Sequence, residues 1–243
     1  MPLINLDILK PAERIYKDTD ITDDDIKPNK LGIIFINYNY GGGENYLGQP
    51  VINDAALFVQ HVICFGYKCF YICDTDKETA IKIIIKLISL EGKDIVFFYA
   101  GHGTQVVDIN KDEDDGFDEA FCFPYSDLFI DDEFCDIVNK YMKCNKFICM
   151  TDACHSGTIY DVERIDVDKQ KYMICLSACT DSQCATQYNS GNGVFSINFW
   201  KCFDMETKTL DVKRLGIIFK NSKLNQMPVI YPTPSYSTMF IDF

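Results

Sequence analysis

A mostly parallel α/β sheet with helices on both faces is the architecture this sequence predicts. Three observations carry it. Short apolar runs of buried-strand type recur along the chain, segments with apolar residues every three or four positions fall between them, and 243 residues suffice for one large domain or at most two small ones. With 47% hydrophobic and 24% charged residues the composition is that of a globular protein, which excludes disorder and fibre.

Taken in order, residues 1–30 are polar and acidic around Asp18 to Asp25 and read as a loosely packed arm. Residues 31–37, 67–73, 94–100, 146–151 and 172–177 are β-branched or aromatic runs of the kind a parallel sheet buries on both faces. Residues 54–65, 77–90 and 131–142 carry the helical period between them. Strand then helix, repeated, makes the sheet parallel through crossover connections. Residues 194–203 and 212–220 add two helices, and 228–230 an edge strand. Tyr231-Pro232-Thr233-Pro234 is loop chemistry. The polar stretch 161–171 has no strong period and reads as a flexible connection between a first block and a smaller second one.

Charge narrows the function classes. The chain has 23 basic and 36 acidic residues, a net −13 at pH 7, with an isoelectric point near 4.6. Such a surface repels phosphate backbones and anionic lipid, so neither nucleic acid nor membrane is expected as a partner, whereas basic peptides and metal ions suit it. Twelve cysteines lie scattered through apolar runs, among them Cys64, Cys69, Cys73, Cys149 and Cys175, and read as free buried thiols. No stretch reaches the roughly 18 apolar residues of a membrane span, and residues 1–30 have no apolar core of a signal peptide. A reducing, cytoplasmic compartment is the expectation.

In sheets of this type ligands bind at the carboxyl ends of the strands. The third predicted strand ends in Gly101-His102-Gly103 and the fourth in Asp152-Ala153-Cys154-His155-Ser156-Gly157. If those strands are neighbours, His102 and Cys154 face one another. A cysteine is a nucleophile as thiolate, and a histidine within reach takes its proton and returns it to the leaving amine. The amides of Gly103 and Cys154 then form an oxyanion hole. His155 competes for the base role, but a neighbour in sequence bends back poorly to its own cysteine.

Tyr99-Ala100-Gly101-His102-Gly103-Thr104-Gln105 and the segment 152–157 resemble the metacaspases, caspase-fold cysteine peptidases of clan CD. Asn53-Asp54-Ala55, Gly116-Phe117-Asp118-Glu119, Asp131-Asp132-Glu133, Ser177-Ala178-Cys179-Thr180-Asp181-Ser182-Gln183 and Gln226-Met227-Pro228 extend the similarity over about residues 31–243. The resemblance implies a caspase-like α/β fold with a p20-like portion over 31–160, a short linker over 161–171 and a p10-like portion over 172–243. With no prodomain ahead of the core, it is closest to a stripped-down type I member, and a monomer is expected.

The same resemblance implies cleavage of protein and peptide substrates after Arg or Lys, with Asp54 and Asp152 lining the pocket that takes the basic P1 side chain. A guanidinium entering a dry pocket needs a carboxylate partner, which agrees. Asp54 read by itself also serves as the N-cap of its helix, and Asp152 as a loop cap. Pro50, Val51 and Ala100 depart from the family pattern near that pocket without removing a charge. Calcium is implied as an activating ion at millimolar levels, with Asp118, Asp131, Asp132 and Asp161 as ligands. The acidic loop 108–119 is not an EF-hand, since Lys111 and Cys122 fall where carboxylates belong. Self-cleavage at Arg164, Lys169 or Lys171 follows from the same reading. The alternative from another class is a non-catalytic caspase-fold scaffold, which retention of both Cys154 and His102 disfavours.

Overall fold

The computed structural model describes residues 4–111, 113, 116–165, 172–189, 191–222, 224–235 and 237–243. Along the chain the strands and helices are β1 (Glu13–Arg14), β2 (Lys30–Ile36), α1 (Gln49–Val62), β3 (Lys68–Cys73), α2 (Lys77–Ile88), β4 (Asp94–Ala100), β5 (Gly103–Val107), β6 (Phe117–Phe123) and β7 (Asp127–Ile130). They continue with α3 (Asp131–Tyr141), β8 (Lys146–Asp152), β9 (Tyr172–Ser177), α4 (Val194–Cys202), β10 (Phe203–Asp204), β11 (Thr209–Asp211), α5 (Val212–Asn221), β12 (Val229–Tyr231) and β13 (Thr238–Phe240).

Why the apolar runs become strands shows in their burial. Every residue of β2 and β4 after the first is buried, and all of β8 is. Their alternate side chains feed two separate cores. Ile34, Ile36, Val96, Phe98, Ile148 and Met150 pack under α1, α4 and α5, while Ile33, Phe35, Ile95, Phe97 and Phe147 pack under α2 and α3. The result is a seven-stranded sheet in the order β1-β3-β2-β4-β8-β9-β12, with helices on both faces. All its pairings are parallel except β12 on β9. Each large side chain of this kind stabilises the fold by about 1.5–3 kcal/mol.

Four features differ from the sequence expectation. The N-terminal arm is not loose: Leu9, Ala12, Ile15 and Ile21 are buried, and the Ile15 amide donates to the Tyr71 carbonyl at 2.9 Å, so β1 extends the sheet beyond β3. A few well-placed apolar residues suffice to dock a polar segment. Helix α1 starts at Gln49 rather than at residue 54, with Pro50 in its first turn, where a missing N–H costs nothing. Asp54 is therefore inside the helix and is not its N-cap. Between β4 and α3 the chain forms a three-stranded antiparallel sheet, β5-β6-β7, whose β5 is half-exposed and carries no strong apolar signal. A third small sheet, β10-β11-β13, follows α4.

Candidate active site

Residues Ala100 and Asp152 are register partners between β4 and β8, so the loops beginning at Gly101 and Ala153 start side by side at the carboxyl edge of the sheet. Their backbones touch. A Cβ on Gly103 would lie 2.1 Å from the Cys154 carbonyl oxygen, and one on Gly101 2.6 Å from the Tyr99 hydroxyl, so neither position admits a side chain. His102 between them is clamped. Its N–H donates to the Tyr40 hydroxyl at 2.9 Å, its carbonyl accepts from the Tyr99 hydroxyl at 2.8 Å, and its ring lies 4.7 Å from that of Tyr40. His102 and Cys154 line one cavity of about 350 Å³. A larger cavity of about 690 Å³ opens on another side of His102, but Cys154 does not line it, so nucleophilic chemistry belongs to the smaller one.

Gly103, set against a glycine elsewhere in the fold, gives a direct test of this packing. Gly103→Ala is expected to lose about 1–3 kcal/mol of stability in chemical denaturation, because the new methyl must displace backbone. Gly216→Ala is the control: nothing lies within 4 Å of an added Cβ there, in the interior of α5, and the substitution is expected to stabilise by about 0.5–1 kcal/mol. Equal effects at both sites would contradict the close approach.

Nε2 of His102 is 3.0 Å from the Asn45 carbonyl. A carbonyl only accepts, so Nε2 carries the proton and Nδ1 holds the lone pair that a base requires. Cys154 rests as a thiol. Burial first, and the adjacent Cys184 thiol second, push it up to about 12. Its sulfur is 4.0 Å from the Ala185 carbonyl. Attack therefore needs the proton removed as the bond forms, which is the task of a neighbouring imidazole. His155 turns away from its own cysteine: with φ of 47° its Nδ1 donates to the Asp181 carbonyl.

The same cavity reaches Asp54 and Asp152, both buried, together with Val51, Gly193 and Thr186. Asp54 accepts from the Gly193 amide at 2.8 Å and from the Asn192 side chain at 3.3 Å, and Asp152 accepts from the Ser196 hydroxyl at 2.6 Å. Gly193 is squeezed between them. A Cβ there would lie 2.3 Å from Asp152 and 2.9 Å from Asp54. Burial raises the Asp54 carboxyl well above its usual range, with the Asp152 charge second, and burial raises Asp152 to about 6. Among the described residues no lysine or arginine lines the cavity. Burying two acids side by side is costly unless they are protonated or meet a positive charge.

A family model described as a caspase domain matches residues 30–236. The chain belongs to the caspase family. Within that family it is metacaspase-like: it is 30% identical over 192 residues to "Metacaspase-1" of Schizosaccharomyces pombe, covering 70% of this chain and 45% of that one. It is also 40% identical over 75 residues to "Metacaspase-1" of Arabidopsis thaliana, covering 29% and 20%. The chain spans less than half the length of these relatives. The caspase fold is matched by the Drosophila initiator caspase Dronc, with a TM-score of 0.56, 10% identity and coverage of 95% and 91% of the two chains.

Of the four aspartates expected around calcium, Asp131 lies near Asp118 and next to Asp132, and Arg164 bridges Asp132 and Asp161, but among the described residues no group of three or more His, Cys, Asp or Glu side chains is placed to hold a metal ion. Asp131, buried at the start of α3, accepts from the Glu119 amide at 2.8 Å and the Asp132 amide at 2.7 Å. Burial pushes it up to about 8, and the Glu119 and Asp118 carboxylates add to the rise. Arg164 ion-pairs with Asp132 and, at 3.3 Å, with Asp161. Three further site residues escaped the sequence reading: Gly193, Ser196 and Asn45. Gly193 and Ser196 arrive from the start of α4, far along the chain, and Asn45 acts through a backbone carbonyl that any residue has. Only the glycine just before a helix offered a signal.

Proposed function

We propose that this chain is a cysteine endopeptidase that cuts peptide bonds after Arg or Lys. The observation that carries the reading is the pair of buried carboxylates, Asp54 and Asp152, in the cavity that His102 and Cys154 share. The basic P1 side chain enters between the two aspartates and neutralises them, and arginine gains most because its guanidinium can pair with two oxygens at once. This seats the scissile carbonyl beside Cys154. As the sulfur attacks, His102 Nδ1 takes its proton, and the Asn45 carbonyl supports the imidazolium through Nε2–H. The amides of Gly103 and Cys154 receive the oxyanion. The imidazolium protonates the leaving amine, and water, activated by the same imidazole, releases the acyl group. Hydrolysis of paired arginine-P1 and aspartate-P1 reporter peptides tests the reading. Arginine is expected to be cut and aspartate not, and the reverse preference sinks it.

Calcium activation is part of the proposal. Asp118, Asp131, Asp132 and Asp161 are hard oxygen donors of the kind calcium takes, but among the described residues no three such side chains are placed to hold an ion, and Arg164 pairs with two of them, so the reading requires Arg164 to leave and the carboxylates to close up. When bound, the ion supplies charge that draws these carboxylates together. Excess chelator is expected to abolish reporter cleavage while leaving circular dichroism unchanged, with recovery on adding calcium. Undiminished cleavage in chelator removes the metal from the proposal. Self-cleavage is assigned to the linker 161–171, whose Lys169 and Lys171 lie outside the described residues. Arg164 is available to the cleft only when released from Asp132 and Asp161. A cytoplasmic, monomeric enzyme acting on protein substrates completes the reading. No helix among the described residues is long and apolar enough to cross a membrane.

A further inference from the structure

Beside the nucleophile lies a second thiol that the peptidase reading does not use. The backbones of 154–155 and 183–185 run alongside each other. The His155 amide donates to the Gln183 carbonyl at 2.9 Å, and the Cys154 sulfur sits 4.0 Å from the Ala185 carbonyl. Cys184 lies between those two contacts. It is exposed, and its sulfur is 3.9 Å from His155 Nε2. Because His155 Nδ1 donates to the Asp181 carbonyl, Nε2 holds the lone pair and can take the Cys184 proton. The Cys184 thiol thus stands beside an imidazole of its own, one residue before Ala185, which lines the same cavity as Cys154 and His102. Proximity also registers electrostatically: Cys184 is the second cause of the rise in the Cys154 thiol.

We propose that Cys184 is an oxidation site for hydroperoxides and that it closes a reversible disulfide onto Cys154. In the first step His155 draws the proton from the Cys184 thiol and the sulfur attacks the peroxide. The O–O bond breaks, Cys184 becomes a sulfenic acid, and the leaving oxygen takes the proton and departs as water or an alcohol. In the second, His102 draws the proton from Cys154, whose sulfur attacks the Cys184 sulfur. The S–S bond forms, and hydroxide leaves and is protonated to water. Exposed Cys184 is oxidised first, because the Cys154 thiol is half-buried and protonated at rest. A dithiol reductant reverses the bond by exchange. The cross-link depends only on the two thiols; that it silences the protein rests on the cysteine-peptidase reading.

The test uses the full chain, treated with hydrogen peroxide, then blocked with an alkylating agent and mapped by mass spectrometry without reduction. A peptide pair joined through Cys154 and Cys184 is expected, lighter by two hydrogens than the separate peptides and lost on dithiothreitol. Under the same dose Cys184→Ser is expected to give no cross-link and to carry Cys154 forward to sulfinic acid, which dithiothreitol does not restore. Cys184 found only as sulfinic acid, or joined to another cysteine, overturns the proposal. Reporter cleavage is read in parallel. A reversible cross-link in a protein that never cuts the arginine reporter keeps the disulfide and rejects the peptidase reading. Cleavage insensitive to peroxide with no cross-link does the opposite.

Discussion

Cys154→Ala is expected to lose arginine-reporter cleavage by about four powers of ten or more, since nucleophile and base act as one unit and neither rescues the other. Folding should barely notice. The sulfur is half-buried, and its contact with the Ala185 carbonyl is long at 4.0 Å, so its loss should change stability by about 1 kcal/mol or less. The comparison that sharpens the experiment is Cys184→Ala. Cys184 has its own imidazole 3.9 Å away and immediately precedes Ala185, which lines the Cys154 cavity. If Cys184 were the nucleophile, the two variants would exchange phenotypes. Retention of activity in Cys154→Ala with loss in Cys184→Ala would overturn the assignment of Cys154.

Asp152→Asn is expected to reduce kcat/KM on the arginine reporter by two to four powers of ten. Leaving a buried cation short of one partner costs about 3–5 kcal/mol, and each 1.36 kcal/mol is tenfold. The same carboxylates set a pH signature whose sign can be worked out. Both are raised above the ordinary aspartate value, Asp152 to about 6. The folded chain therefore holds these protons more tightly than the unfolded one. The stability Asp152 contributes this way is complete at low pH and is lost as pH climbs from about 4 through about 6, and Asp54 acts in the same direction. Binding a guanidinium runs the other way, because it requires the ionised acids. Cleavage of the arginine reporter should rise through about pH 6 as folding stability falls. The thermal shift given by a small arginine mimic should grow over the same window. In Asp152→Asn the step near pH 6 should disappear from both curves. A flat arginine profile across that window in the wild type would contradict the paired-acid pocket.

Much of this was legible in the sequence, for identifiable reasons. Strands buried on both faces leave continuous apolar runs, so β2, β3, β4, β8 and β9 announce themselves. The glycine-bounded ends of β4 and β8 mark His102 and Cys154 because a tight backbone approach excludes side chains. What stayed hidden depends on chain segments that meet only in three dimensions. Ser196 binds Asp152 across 44 residues. Asn45 reaches His102 through a carbonyl, which has no residue signature. The strand β5 is half-exposed and mixes Thr and Gln with valine, so its pairing with β6 rests on tertiary context. Helix α1 begins before its apolar period is evident, because Gln49 and Pro50 look like loop, and this displaced Asp54 from helix end to helix interior. The arm ahead of β2 reads as loose because mean polarity conceals its four buried anchors, Leu9, Ala12, Ile15 and Ile21.

One property of the sheet reaches further than the site. Strands β8 and β9 pair in parallel along six consecutive positions, from Lys146 with Tyr172 to Thr151 with Ser177, and none of the residues in those pairs belongs to the linker 161–171. Scission of a peptide bond in the connection breaks the covalent thread but none of those six pairings. A denaturing gel would resolve two fragments where a sizing column run in native buffer still sees a single particle. The wall holding Gly193 and Ser196 would stay docked against the wall holding Cys154, and a nick would grant new freedom to loose ends alone.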